Sequence, residues 1–61
     1  MTELQILFQL EKIYGKEMTL KQALEAMGRV VFTRDTLVEE GHEFNEKQLI
    51  NEIGDEVLNE E

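Results

Sequence analysis

The chain contains no cysteine, no proline and no serine, and it has one histidine, His42. Without cysteine, disulfides and thiolate metal sites are excluded. Without proline or clustered glycine there is no linker and no low-complexity segment, and no internal repeat is visible. One imidazole cannot build a nitrogen-rich metal centre. Threonine is the only simple hydroxyl, so no nucleophile–base–orienter set can be assembled. Long apolar runs are also missing: the longest within Met1–Leu10 is Ile6-Leu7-Phe8, far short of the ~20 residues of a membrane span. The same stretch carries Glu3 rather than a basic cluster and does not read as a signal peptide. The expectation is a cytoplasmic protein that is not an enzyme, carries no cofactor and has no membrane contact.

Positive charge is the other scarcity. Six Lys and Arg stand against 14 Asp and Glu, a formal net charge of −8. Lys12, Lys16, Lys21, Arg29 and Arg34 form no basic cluster, so direct nucleic-acid binding is not expected. The charge is also unevenly placed. Residues 1–34 hold four acids and five bases, a net of +1, and residues 35–61 hold ten acids and one base, a net of −9. A near-neutral half is thus joined to a strongly acidic one. Acidity of this kind serves solubility, or it keeps a surface ready for something basic.

With 61 residues there is room for one domain, residues 1–61, and no second core. In so short a chain the gain from apolar burial and the loss of conformational entropy nearly cancel. With disulfides, thiolate metal sites and nitrogen-rich metal centres excluded, a second copy or a bound partner is the remaining source of stability.

Three places show a capping residue followed three positions later by Gln: Thr2 with Gln5, Thr19 with Gln22, and Asn45 with Gln48. Each precedes an apolar periodic segment, the pattern of a helix start. The first helix is expected over Glu3 to Tyr14, with Leu4, Leu7, Phe8, Leu10 and Tyr14 on one broad face widened by Ile6 and Ile13. That arc exceeds what one neighbouring helix covers, and Gly15 supplies a stop. After Thr19, Leu20, Leu24, Met27 and Val31 align within about 60° of arc, with Ala23 and Val30 alongside. A continuous helix would then put Arg34 inside the stripe and Phe32 outside it. Gly28 and the Val30-Val31-Phe32 run are poor helix material, so a break near Phe32-Thr33 is favoured over one long helix to Glu40 or a short strand at Arg29–Thr33. Gly41 ends that element. The last helix, Glu46 to Asn59, sets Leu49, Ile50, Ile53 and Val57 on one face and Glu52, Asp55 and Glu56 opposite, and Phe44 is placed to staple its start. Glu60 and Glu61 lie at the unfavourable end of the helix dipole, so the last few residues are expected to fray.

The fold class expected is all-α, three or four short helices completed by dimerisation or a partner. Glu39-Glu40-Gly41-His42-Glu43 is the one candidate metal cluster, but its spacing matches no EF-hand loop, and a solvated acidic turn is the favoured reading. Function is expected to be regulatory or inhibitory, through protein–protein binding, with a DNA-mimic inhibitor or a non-catalytic structural subunit as alternatives. The acidic face assigned to the partner, a protein with a basic surface, comprises Glu39, Glu40, Glu43, Glu52, Asp55 and Glu56. For a DNA mimic, Glu46, Glu60 and Glu61 join it. Surplus apolar arc in the first helix and in Val30-Val31-Phe32 points to a homodimer, with Leu4, Leu7, Phe8, Tyr14, Val30 and Phe32 as the self-association residues.

Overall fold

A computed structural model describes residues 1–60. It is all-helical among those residues: α1 (Glu3–Tyr14), a single 3₁₀ turn (Gly15–Glu17), α2 (Leu20–Glu39) and α3 (Glu46–Asn59). The molecule measures 35 × 22 × 16 Å. No helix among the described residues is long and apolar enough to cross a membrane.

The helix starts follow from their caps. The Thr2 and Thr19 hydroxyls accept from the backbone N–H of Gln5 and Gln22, and both glutamines return the bond to the cap backbone at 2.8 Å. Asn45 accepts from the Gln48 N–H, but the Gln48 side chain donates to Glu52 instead of reaching back. That third box is half formed. The stops are glycines at positive φ, Gly15 at 54° and Gly41 at 76°. At Gly41 the chain closes a paired C-terminal motif, with Gly41 N–H donating to Val38 O and His42 N–H to Leu37 O, which satisfies the last carbonyls of α2.

α2 is one unbroken helix of 20 residues, which corrects both the expected break near Phe32-Thr33 and the expectation of short helices throughout. No new helix starts at Thr33; within the continuous helix the Thr36 hydroxyl donates back to Phe32 O. The propensity deficit of Gly28 and the two valines is about 1 kcal/mol or less each. Burying Val30 completely against its neighbours returns about 1.5–3 kcal/mol, so packing overrides local preference. Arg34 sits at the edge of the packed face and Phe32 lies outside it, as an unbroken helix requires.

The core comprises Ile6 and Leu10 from α1, Met18, Ala26 and Val30, and Leu49, Ile50, Ile53 and Val57 from α3. Phe44 packs against it from the connector. The inner face of α2 is Gln22, Ala26 and Val30. It is thin and small, and Ala26 lets the flanking helices come close.

Candidate functional site

The stripe that periodicity marks on α2 is not the face turned inward. Leu20 is 73% exposed, Leu24 is exposed, and Met27 and Val31 are half-buried. The buried line Gln22–Ala26–Val30 is rotated from that stripe by about 130° at 3.6 residues per turn. α2 therefore carries two apolar arcs, one spent on the core and one shared, in which Met27 and Val31 pack at the edge of the core while Leu20 and Leu24 stay outside.

Part of the outer arc meets α1. Leu4 and Phe8, each 59% exposed, line an open apolar groove of about 270 Å³ together with Leu7, Leu20 and Ala23, floored by Leu10 and Met18. Glu11 is the charged side chain on its wall. The groove exists because α1 turns Ile6 and Leu10 inward, leaving Leu4 and Phe8 along its flank.

The six expected self-association residues do not form one surface. Val30 is fully buried inside the monomer and cannot meet a second chain, which corrects its assignment. Tyr14 is half-buried, and its ring crosses α3 over Gly54. Its hydroxyl donates to Asn51 O at 2.8 Å or Asp55 Oδ1 at 2.9 Å. Burial, and then the hydrogen bond and charge of Asp55, push the phenol up to about 12. Tyr14 therefore clamps α1 to α3. Leu4, Leu7 and Phe8 share the groove, whereas Phe32 lies elsewhere, in a depression with Gly28, Arg29, Ile53 and Glu56.

All six acidic-face residues are exposed, but they are not all alike. Glu52, Asp55 and Glu56 follow one outer face of α3, with Asp55 at one edge engaged by Tyr14. Glu43 and Glu52 border one shallow depression beside Phe44 and Gln48. Glu39 and Glu40 end α2, where Glu40 Oε1 lies 3.7 Å from His42 Nε2 with both side chains largely in solvent. No group of three His, Asp or Glu able to hold a metal occurs among the described residues.

Sequence reasoning missed the ties across the helices. Arg29 grips the Glu60 carboxylate with two bonds of 2.7 and 2.8 Å; this holds the Glu60 carboxyl below its ordinary range and raises the arginine. Glu60, expected to fray, is therefore tied to α2, while the expectation for Glu61 lies outside the described residues. Arg34 donates to Met1 O at 2.6 Å, and the Met1 amino group lies 2.9 Å from Glu46. The surplus of acid in the second half offered the only hint that bases of the first half would be drawn to it.

The chain matches no protein-family model, no curated protein and no solved structure. Fold and surface alone define its class, a small acidic three-helix protein with an open apolar groove.

Proposed function

We propose that this chain is a non-catalytic, regulatory or inhibitory binding protein, seating apolar side chains of another protein in the α1–α2 groove and presenting the acidic face of α3 to a basic surface. The observation that supports this reading is the exposure of Leu4, Phe8 and Leu20 around one concavity. Contiguous exposed apolar surface on a small domain commonly marks a protein contact. At about 270 Å³ the groove falls below the ~300–1,000 Å³ of typical small-molecule sites, and it suits two or three side chains of a helix. The acids add approach and selectivity rather than most of the affinity. Against DNA mimicry stands the engagement of Asp55 by Tyr14 and of Glu60 by Arg29, which interrupts any regular free array of carboxylates.

The test is to isolate the bound protein from the native host and then measure its association kinetics. Phe8→Glu should weaken binding by about 100-fold or more, because it buries an unpaired charge in the contact. Glu52→Lys with Glu56→Lys should slow association at least about tenfold at low salt while leaving helicity intact. Wild-type affinity for Phe8→Glu would remove the groove from the account. A loss confined to the charge-reversed variant, and abolished by salt, would favour mimicry.

A further inference from the structure

The part of α2 that neither α1 nor α3 covers runs through Lys21, Leu24, Gly28, Phe32 and Asp35, all exposed. Their spacing is three, four, four and three residues, so it reads the same in both directions about Gly28. The residue types are complementary under the same reversal. Turned end for end, Lys21 meets Asp35, Leu24 meets Phe32, and Gly28 meets itself.

Gly28 has no explanation within the monomer. It sits in the middle of a 20-residue helix, its φ is not positive, and a Cβ built on it meets nothing within 4 Å. Glycine there weakens the helix relative to alanine, and no close neighbour in the monomer compensates. Close approach of a second helix backbone would supply the missing reason. The charges point the same way. Lys21 lies in the first turn of α2 and Asp35 near its C-terminal end, each at the unfavourable pole of its own helix dipole. Lys21 has no ion-pair partner among the described residues, and Asp35 makes only a 3.5 Å contact with its neighbour Arg34. An antiparallel copy reverses the placement, bringing Asp35 to the partner's N-terminal pole and Lys21 to its C-terminal pole. Phe32, 74% exposed, gains Leu24 of the copy as its cover.

We infer that the chain forms a two-fold dimer through antiparallel pairing of α2 with α2 of a second copy, crossing at Gly28 and closed at each end by Lys21 against Asp35. The inference rests on the reading that exposed apolar surface here serves protein contact, but it uses a different face from the α1–α2 groove. A two-fold contact is self-complementary by construction, which is the property of this residue set. Parallel pairing would oppose Lys21 to Lys21 and Asp35 to Asp35, and it is disfavoured.

Sedimentation of the full chain between ~1 µM and ~1 mM tests it, with circular dichroism to confirm the fold. The wild-type chain should dimerise in this range, and a monomer throughout would overturn the inference. Gly28→Ala should keep its helicity, since the monomer has room for the methyl group, and should raise the dimer Kd by about tenfold or more. K21D and D35K should each weaken the dimer by roughly tenfold, because the axis applies every change twice. The double variant K21D/D35K should return to within about threefold of wild type, its reciprocal pairs being re-formed. D35K lowers the net negative charge, so general repulsion would make it associate more tightly; that result would overturn the proposal. So would a dimer that survives Gly28→Ala but dissociates on Phe8→Glu, because the second copy would then occupy the groove. A chain that is monomeric yet loses its target on Phe8→Glu would sink the dimer and leave the groove reading intact.

Discussion

Over 14 residues α3 buries Leu49, Ile50, Ile53, Gly54 and Val57, whereas α2, with 20 residues, buries only Gln22, Ala26 and Val30. The shorter helix is held by its single apolar face, which is the face its periodicity marks. The longer one turns Ala26 and Val30 inward, packs Met27 and Val31 at the edge of the core, and leaves Leu20, Leu24, Phe32 and Val38 exposed. α3 is thus a helix whose apolar content is spent on folding, and α2 one whose apolar content is divided between folding and contact. Periodicity identifies a face, but where a helix carries two, the neighbours decide which is buried.

The sharpest way to break that comparison is to truncate one side chain on each helix. Ile50 is fully buried at the centre of the core. Ile50→Ala should cost about 3 kcal/mol, enough to leave a large unfolded fraction in a domain this small. Leu24→Ala, on the outer arc of α2, should change the unfolding free energy by no more than about 0.5 kcal/mol when measured at a concentration where sedimentation finds monomer. Urea denaturation checks both. Equal losses at the two positions would mean that the outer arc of α2 takes part in the monomer core.

The two helical glycines sharpen the contrast with effects of opposite sign. A Cβ at Gly54 would come within 2.5 to 2.7 Å of the tip of the Tyr14 ring, whereas at Gly28 it meets open space. Gly54→Ala must displace the ring and with it the bonds to Asn51 O and Asp55, a loss of about 1–2 kcal/mol even after the gain in helix propensity. Gly28→Ala should stabilise the monomer by about 0.5–1 kcal/mol. In a Tyr14→Ala background the obstacle is gone, so Gly54→Ala should become neutral or stabilising. Additive effects in that double-mutant cycle would show that the glycine and the ring are not coupled.

Much of this fold was legible because its signals are local. The bounds of α1, Glu3 to Tyr14, follow from the Thr2 cap and the Gly15 stop, and α3 follows from the Asn45 cap and a single apolar stripe. The Leu4, Leu7 and Phe8 surplus was legible too, since α1 has more apolar arc than two neighbours can cover. The inner face of α2 was not, because Gln22 and Ala26 do not look like core residues until α1 and α3 are seen on either side. Gln22 is buried while its side chain serves the Thr19 cap, a dual role that hydropathy reads as solvent exposure. Tyr14 over Gly54 and Arg29 on Glu60 join residues far apart in sequence, and no spacing rule announces them.

The smallest expected effect isolates the Tyr14 clamp that serves the α3 side of the comparison. Tyr14→Phe removes a hydroxyl whose neighbours are Asn51 O and Asp55, and should cost about 1 kcal/mol near neutral pH. The pH dependence gives a second readout. Burial and Asp55 push the folded phenol up to about 12, while the unfolded one titrates near 10. Above pH ~10 the unfolded state releases this proton and the folded state keeps it. The unfolded state then binds fewer protons, so the stability conferred by Tyr14 falls as pH rises. That contribution is therefore complete below about pH 10 and is lost progressively toward pH 12, where lysines also titrate. Tyr14→Phe carries the same lysines but no phenol, so subtracting its unfolding free energy at each pH leaves the tyrosine contribution. The wild-type advantage over Tyr14→Phe should be constant from pH 7 to ~9 and shrink between ~10 and ~12. An advantage that stays flat to pH 12 would mean that the hydroxyl is as well solvated in the folded chain as in the unfolded one. The ring would then rest on Gly54 by shape alone, without the bonds to Asn51 and Asp55.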